Sequence, residues 1–258
     1  MKALCLTSLT PSEDVVKGFI SQMKSYGYEI KGHFWSDDLQ KMAWMGARDM
    51  LVDANIGLWG LLGSKKEFDK TETRYGLSLL ALSAKARKST SLNILVLQNG
   101  EDPIRASDLP TPLSGADIIS LSEPGLGAKI VAKMHQKKNK GPEEYVLDIH
   151  GNEHIGQWFE IRPPADSWPG VMFGVAGGEV VFQAVGPAGG LPEKSVLNYP
   201  MQGLKLTLGD TEYTAWAAQN EITPETAYYV KVEGYPTSIV FGPYSNEESA
   251  DVYVINLK

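Results

Sequence analysis

Cysteine is almost absent from this chain, which has one, at position 5, among 258 residues. A single thiol cannot form an intramolecular disulfide, so a disulfide-stabilised fold is excluded. Cys5 lies inside the first apolar run, which predicts a buried structural thiol and not a nucleophile. Because disulfides are typical of oxidising compartments, their exclusion favours a cytoplasmic location.

Long apolar runs are also absent, and no stretch approaches the roughly 18 apolar residues of a membrane-spanning helix. The opening segment MKALCLTSLTPSEDV has a short apolar run that Thr7 and Ser8 interrupt. We therefore expect neither a signal peptide nor a membrane partner. The composition, with 43% hydrophobic and 21% charged residues, is that of an ordinary globular protein.

Basic residues are scarce in the second half. Residues 1–140 carry 19 Lys and Arg against 15 Asp and Glu, a net charge of +4, whereas residues 141–258 carry 5 against 16, a net charge of −11. This change predicts two domains, 1–140 and 141–258. In HQKKNKGPEE, residues 135–144, a basic helix end meets a Gly-Pro break and an acidic stretch. Lys137, Lys138 and Lys140 suit the C-terminus of a helix, and without interleaved aromatics they predict no nucleic-acid partner.

The first half alternates apolar runs with amphipathic stretches. Five runs are predicted strands: residues 2–9, 29–35, 56–63, 92–100 and 116–123. Continuously apolar strands are typical of a parallel sheet that is covered on both faces. Alternation of strand and helix then predicts a doubly wound, five-stranded α/β domain in the flavodoxin-like order.

Hydroxyl side chains follow the first predicted strand in TSLTPSE, residues 7–13. Thr10 and Glu13 have the spacing of a capping box, with Thr10 as the N-cap of the first helix. Ser8 and Thr10 also lie where parallel sheets bind phosphate, beside a helix N-terminus. A flavin-binding redox protein is therefore one function left open, although the segment has no glycine to let a phosphate approach the backbone.

The segment GSKKEFDKTETRYGLSLLALSAKA, residues 63–86, is polar at first and then apolar. From Tyr75 onward the spacing of apolar residues predicts a helix that packs on the sheet. The polar front follows the third strand, at the carboxyl edge where open parallel sheets form their ligand crevice. This front is either a solvated first turn or part of a site.

The order of elements, with IGLWGLLGSKKEFDKTETRYGLSLLAL, resembles TIR and TIR-like domains over roughly residues 1–138. The resemblance implies a flavodoxin-like fold with a signalling or nucleotide-binding role. In enzymatic members, a glutamate in the helix after the third strand serves cleavage of the nicotinamide–ribose bond of NAD. By position, the resemblance implies Glu72 as that residue, with Glu67 as the alternative. It implies three further residues at the crevice: Ser64, Arg74 and Tyr75.

A carboxylate suits this reaction because departing nicotinamide leaves an oxocarbenium-like ribose, which a nearby negative charge stabilises. The resemblance implies NAD or another nucleotide as the ligand. Here the short HFWSDDLQ replaces the usual loop after the second strand, and many family members are adaptors without catalysis. A non-catalytic interaction module that forms homo-oligomers is the other function left open.

Two glycines, Gly125 and Gly127, separate the fifth predicted strand from its helix. G-x-G after the last strand is too short for a dinucleotide-binding fingerprint, so a tight turn is the main prediction. Anion binding at the helix start is the alternative.

Metal-ligating residue types cluster in DIHGNEH, residues 148–154. If residues 145–150 form a strand, Asp148 and His150 share a face. A turn at Gly-Asn would then fold Glu153 and His154 towards them. Without a cysteine or a third histidine, the cluster favours an acidic surface turn over a metal site.

The second half is predicted to be an all-β domain. Nine short runs rich in β-branched and aromatic residues, from EYVLDIH to DVYVINL, indicate an antiparallel sandwich or barrel. Gly177 and Gly178 predict a two-residue hairpin turn between two of the runs. We expect this acidic domain to bind a partner or mediate oligomerisation, since its charge is opposite to that of the first half.

Overall fold

The computed structural model describes residues 3–90, 92–136, 143–198, 200–245 and 251–258. The chain divides into two compact units, residues 1–140 and 141–258. The first is an α/β unit and the second is all-β, which confirms the predicted fold class. Among the described residues, no helix combines the length and hydropathy that crossing a bilayer requires.

The first unit contains a five-stranded parallel sheet. Its strands are β1 (Ala3–Ser8), β2 (Ile30–Phe34), β3 (Ile56–Gly63), β4 (Asn93–Gln98) and β5 (Asp117–Ser120). Its helices are α1 (Glu13–Ser25), α2 (Met45–Val52), α3 (Lys65–Phe68), α4 (Thr71–Arg87) and α5 (Leu126–His135). The strand order is β2-β1-β3-β4-β5, which is the predicted flavodoxin-like order.

Burial on both faces explains the continuous apolar runs of this sheet. All residues of β1 are buried, Cys5 among them, and burial raises the pKa of its thiol to about 12. Cys5 is therefore protonated at neutral pH, as an inert structural thiol should be. One face packs on α1 and α5 through side chains that include Phe19, Met23, Leu126, Ile130 and Met134.

Helix α4 is buried more completely than its sequence indicates. Every residue from Tyr75 to Ala84 is buried, including the polar Ser78 and Ser83. The reason is a second covering layer, since α4 contacts both α2 and the 3₁₀ turn Thr111–Leu113. An amphipathic stripe therefore predicted only one of its two packing faces.

The second unit is an antiparallel sheet of seven strands. They are β6 (Val146–Asn152), β7 (Gly156–Arg162), β8 (Val171–Pro187), β9 (Met201–Leu208), β10 (Thr211–Ala218), β11 (Thr226–Pro243) and β12 (Tyr253–Asn256). The order is β6-β7-β11-β8-β10-β9, and β12 pairs with β11. Strands β8 and β11 each join two of the runs that the sequence presents separately.

The predicted hairpin turn at Gly177 and Gly178 is wrong, because both residues lie inside β8. Gly177 has a left-handed backbone (φ 73°), and the register with β11 shifts opposite it, between Gly234 and Ser238. This irregularity has the character of a β-bulge, which bends a strand pair without reversing the chain. Phe159 of β7 pairs with Val230 near the start of β11, and Phe173 of β8 pairs with Phe241 near its end. Their ring centroids are nevertheless 5.7 Å apart, so the bent sheet folds over on itself into two layers, one with Phe159 and the other with Phe173.

We expect Phe159→Ala to lower the free energy of unfolding by about 3–5 kcal/mol, because it leaves a cavity between the two layers. Phe159 is 0% exposed. The control is Phe182→Ala on the same unit, at a side chain that is 53% exposed. Urea denaturation of both variants measures the difference. Equal losses would contradict this packing.

Candidate functional site

The carboxyl ends of β1, β3 and β4 meet at one edge of the parallel sheet, here called the carboxyl edge. Their last residues are Ser8, Gly63 and Gln98. The strand order reverses between β1 and β3, since β1 leads to β2 on one side and β3 leads to β4 on the other. Open α/β sheets bind their ligands at such a switch point.

Glu67 is held firmly at this switch point. Its Oε2 accepts hydrogen bonds from the Ser64 backbone N–H (2.7 Å), the Ser64 hydroxyl (2.9 Å) and the Thr10 hydroxyl (2.9 Å). Ser64 and Glu67 form the capping box of α3. Because Thr10 follows β1 and Glu67 follows β3, this carboxylate ties together the two strand ends that flank the switch point.

Thr10 is not the N-cap of α1, so that prediction is wrong. The cap is Ser12, whose hydroxyl accepts a hydrogen bond from the Val15 N–H at 3.5 Å. The Thr10 hydroxyl instead reaches Glu67, 57 residues later in the chain. The Ser8 hydroxyl is buried and donates to the Thr10 carbonyl at 2.8 Å. Both hydroxyls thus have partners within the protein, and their role as phosphate ligands stays a prediction.

The structure separates the residues that the TIR resemblance groups together. Glu72 is exposed in the first turn of α4, whereas Glu67 is half-buried beside Ser64. Tyr75 is 0% exposed and belongs to the core. Arg74 donates from Nη1 to the Asp108 carbonyl, which ties α4 to the loop after β4. Among the contacts of the described residues, those at the carboxyl edge fix Glu67 and not Glu72.

The loop after β2 packs against α4. Asp37 in this loop accepts hydrogen bonds from the Trp35 indole N–H and the Thr73 hydroxyl, both at 2.7 Å, and it pairs with Lys70 at 3.6 Å. Gly76 of α4 makes this approach feasible, since a Cβ there would lie 2.7 Å from Trp35 Cζ2. The short loop therefore braces the start of α4.

A cleft of about 810 Å³ lies beside α3 and the start of α4. It is lined by Lys65, Lys66, Asp69, Lys70, Asp102, Pro103, Arg105 and Asp108. Four cationic side chains face three carboxylates there, so the lining carries a net positive charge within a protein of net charge −7. We call this the basic cleft.

Two cations of the basic cleft are available to a ligand. Lys65 pairs with Asp69 at 2.7 Å, and Lys70 pairs with Asp37. Lys66 and Arg105 are exposed and form no ion pair among the described residues. Their charges are therefore free to pair with an anion.

The start of α4 adds positive potential to the basic cleft. Its N-cap is Lys70, whose side chain makes no capping hydrogen bond. The first N–H groups of a helix lack intrahelical partners, and the helix dipole places partial positive charge there. Because Lys70 also lines the cleft, this end of a 17-residue helix lies beside the free cations.

Sequence reasoning missed most of the basic cleft. It placed Ser64, Glu67 and Arg74 near the crevice, but none of them lines this cleft. Asp102 and Arg105 lie on the long connection after β4, for which the apolar pattern gives no structure. The dense lysines of the segment 63–74 were the signal that pointed to this edge.

Gly125 and Gly127 have structural explanations. Gly125 is the N-cap of α5 and has a left-handed backbone (φ 71°), as the predicted turn requires. A Cβ on Gly127 would lie 2.3 Å from Cε2 of Tyr26. Gly127 therefore permits close packing of α5 on Tyr26, and anion binding at this helix start stays a prediction.

The metal candidates of the second unit are only partly brought together. Asp148 and His150 lie on β6 and meet Glu160 of β7, here called the Asp-His-Glu cluster. Glu153 and His154 lie in the β6–β7 turn, away from the cluster, and His154 is exposed. Glu160 escaped sequence reasoning because it faces Asp148 across the strand pair, where spacing along the chain gives no signal.

Electrostatics keep Glu160 ionised within this cluster. Burial alone would raise the pKa of its carboxyl group, but hydrogen bonds from His150 and the Gly189 N–H outweigh burial and lower it. The charges of His150 and Arg162 act in the same direction. Glu160 is thus a buried, ionised carboxylate within the cluster.

Comparison of the sequence with protein-family models and with curated proteins finds no match. The resemblance to TIR domains therefore stays a prediction. The charges at the carboxyl edge are the strongest functional evidence in the first unit.

We expect Glu67→Ala to lower the free energy of unfolding by about 1–2 kcal/mol, because it removes the capping box and the link to Thr10. Glu72→Ala removes the other candidate carboxylate from an exposed position and should change stability little. Scanning calorimetry of the full chain compares the two. A Glu72→Ala loss as large as that of Glu67→Ala would contradict the assignment of Glu67 as the structural link.

Proposed function

We propose that the first unit is a TIR-like ligand-binding module that takes an anionic nucleotide in the basic cleft. The observation that carries this proposal is the convergence of Lys66, Arg105 and the uncapped start of α4 on one cleft. Helix N-termini and cationic side chains at the carboxyl edge of a parallel sheet are a common means of binding phosphate.

The size and lining of the cleft suit a nucleotide. Small-molecule sites commonly measure about 300–1,000 Å³, and the basic cleft falls in this range at about 810 Å³. Lys66 and Arg105 supply charge-assisted donors for phosphate oxygens. Asp69 and Asp102 supply acceptors that suit ribose hydroxyls or a base amino group.

Binding without catalysis is the function that this geometry favours. Neither Glu67 nor Glu72 lines the basic cleft. The carboxylates that do line it are aspartates, and two of them, Asp69 and Asp108, already face Lys65. A module that senses a nucleotide and passes the signal to a partner needs no further group.

The test is calorimetric titration of the full chain with NAD, ADP-ribose and ATP. The double substitution Lys66→Ala and Arg105→Ala should weaken binding by roughly tenfold or more, since each removes a charge-assisted contact. Added salt should weaken binding to the unsubstituted protein as well.

The matched control is Lys17→Ala with Lys24→Ala, which removes the same two charges from exposed positions on α1. It should leave affinity unchanged. If both double variants lose nucleotide affinity equally, the net charge of the protein and not the basic cleft determines binding. Absence of binding at millimolar nucleotide would overturn the proposal.

NAD cleavage is the second candidate function, and the fixed carboxylate of Glu67 at the switch point favours it. Nicotinamide release from NAD, followed by chromatography, tests it. Under this function, Glu67→Gln should reduce release by at least about 100-fold. Glu72→Gln should retain it, because that carboxylate is exposed and none of the contacts in the described part of the chain fixes its orientation. Release that depends on Glu72 instead would reverse the assignment.

A further inference from the structure

The Asp-His-Glu cluster lies on one face of the β6–β7 strand pair. Asp148 and His150 are two residues apart on β6, so their side chains project from the same side. Asp148 lies directly opposite Glu160 in the register of the pair. The backbone pairing of β6 with β7 therefore fixes the three Cα positions independently of any contact between the side chains.

All three side chains are withdrawn from solvent. The residues are 6%, 9% and 2% exposed for Asp148, His150 and Glu160, respectively. Two buried carboxylates repel each other and lose hydration, which is unfavourable unless positive charge lies close by. Arg162 Nε, which lies 3.3 Å from Glu160 Oε1, offsets part of this cost, and a cation bound among the three side chains would offset more of it.

The potential metal-ligating atoms of the three side chains lie close together. His150 Nε2 lies 2.5 Å from Glu160 Oε2 and 3.5 Å from Asp148 Oδ2. The three atoms all lie within 4.8 Å of one another. Atoms that share a tetrahedral zinc ion at about 2.0–2.2 Å are roughly 3.3–3.6 Å apart, so the His150–Asp148 separation fits, whereas His150 Nε2 and Glu160 Oε2 would have to move apart by about 1 Å.

Contacts outside the cluster orient its members. Glu160 Oε1 accepts hydrogen bonds from the Gly189 N–H at 3.1 Å and from Arg162 Nε at 3.3 Å, so that Oε2 is the atom presented to His150. The Tyr229 ring packs against the imidazole at 6.0 Å between centroids. Such outer contacts are typical of metal sites, where they fix the ligands in place.

We propose that Asp148, His150 and Glu160 bind a divalent transition-metal ion of the Zn²⁺ or Mn²⁺ type. One imidazole and two carboxylates form a borderline-to-hard donor set that suits such ions better than thiophilic ones. Without metal, His150 Nε2 and Glu160 Oε2 are joined by a hydrogen bond. A bound ion would take the place of this hydrogen bond, and three protein ligands would leave one tetrahedral position for a water or a substrate oxygen.

The experiment is calorimetric titration of Zn²⁺ into the full chain after chelator treatment, together with thermal unfolding in the presence and absence of Zn²⁺. We expect one strong site and a rise in Tm on binding. Glu160→Gln and Asp148→Asn each keep the shape of the side chain. Each should weaken Zn²⁺ binding by roughly tenfold or more and reduce the rise in Tm.

The matched control is Glu153→Gln with His154→Ala, in the turn next to the cluster. The native Glu153 and His154 side chains would account for adventitious binding of Zn²⁺ at the surface. Their substitution should leave the strong site unchanged. Loss of binding in the control and its retention in Asp148→Asn and Glu160→Gln would overturn the proposal. Failure of the unsubstituted protein to bind Zn²⁺, Mn²⁺ or Co²⁺ would also overturn it. If Glu160→Gln does not fold, Asp148→Asn decides the outcome.

Discussion

The hydrogen bonds to the Glu67 carboxylate organise the carboxyl edge of the first unit. Helix α3 has only four residues, too few to hold its own conformation through internal hydrogen bonds. Its capping box and the bond from Thr10 fix it against the ends of β1 and β3. Since Lys65 and Lys66 belong to α3, the position of two cations in the basic cleft follows from this one carboxylate.

The second unit uses a glutamate in a similar way. Glu160 accepts a hydrogen bond from the Gly189 N–H in the segment after β8. The Tyr229 hydroxyl accepts one from the Gly190 N–H of the same segment and donates to the carbonyl of Pro187, the last residue of β8. These bonds attach the start of that irregular segment to the sheet. In both units, a partly or fully buried carboxylate satisfies backbone N–H groups that have no secondary-structure partner, and thereby positions charged or polar side chains beside it.

The sequence predicts the α/β sheet well because β1, β3 and β4 are covered on both faces, and burial on both faces leaves an unmistakable apolar run. It predicts the sites poorly for identifiable reasons. Glu160 lies opposite Asp148 across a strand pair, and Thr10 contacts Glu67, which is 57 residues later in the chain. The spacing of residues along the sequence reveals neither contact. The predicted hairpin turn at Gly177 is wrong because a glycine with a left-handed backbone is as typical of a β-bulge as of a turn. Arg105 lies on a connection without periodicity.

The continuity of β8 and β11 has a consequence for how the second unit unfolds. Each strand pairs in one layer through one half of its length and in the other layer through the rest. Neither layer can therefore lose its backbone hydrogen bonds without exposing a strand that the other layer needs. The two layers form one cooperative unit, and their slowest-exchanging amides should share a single opening free energy in hydrogen exchange.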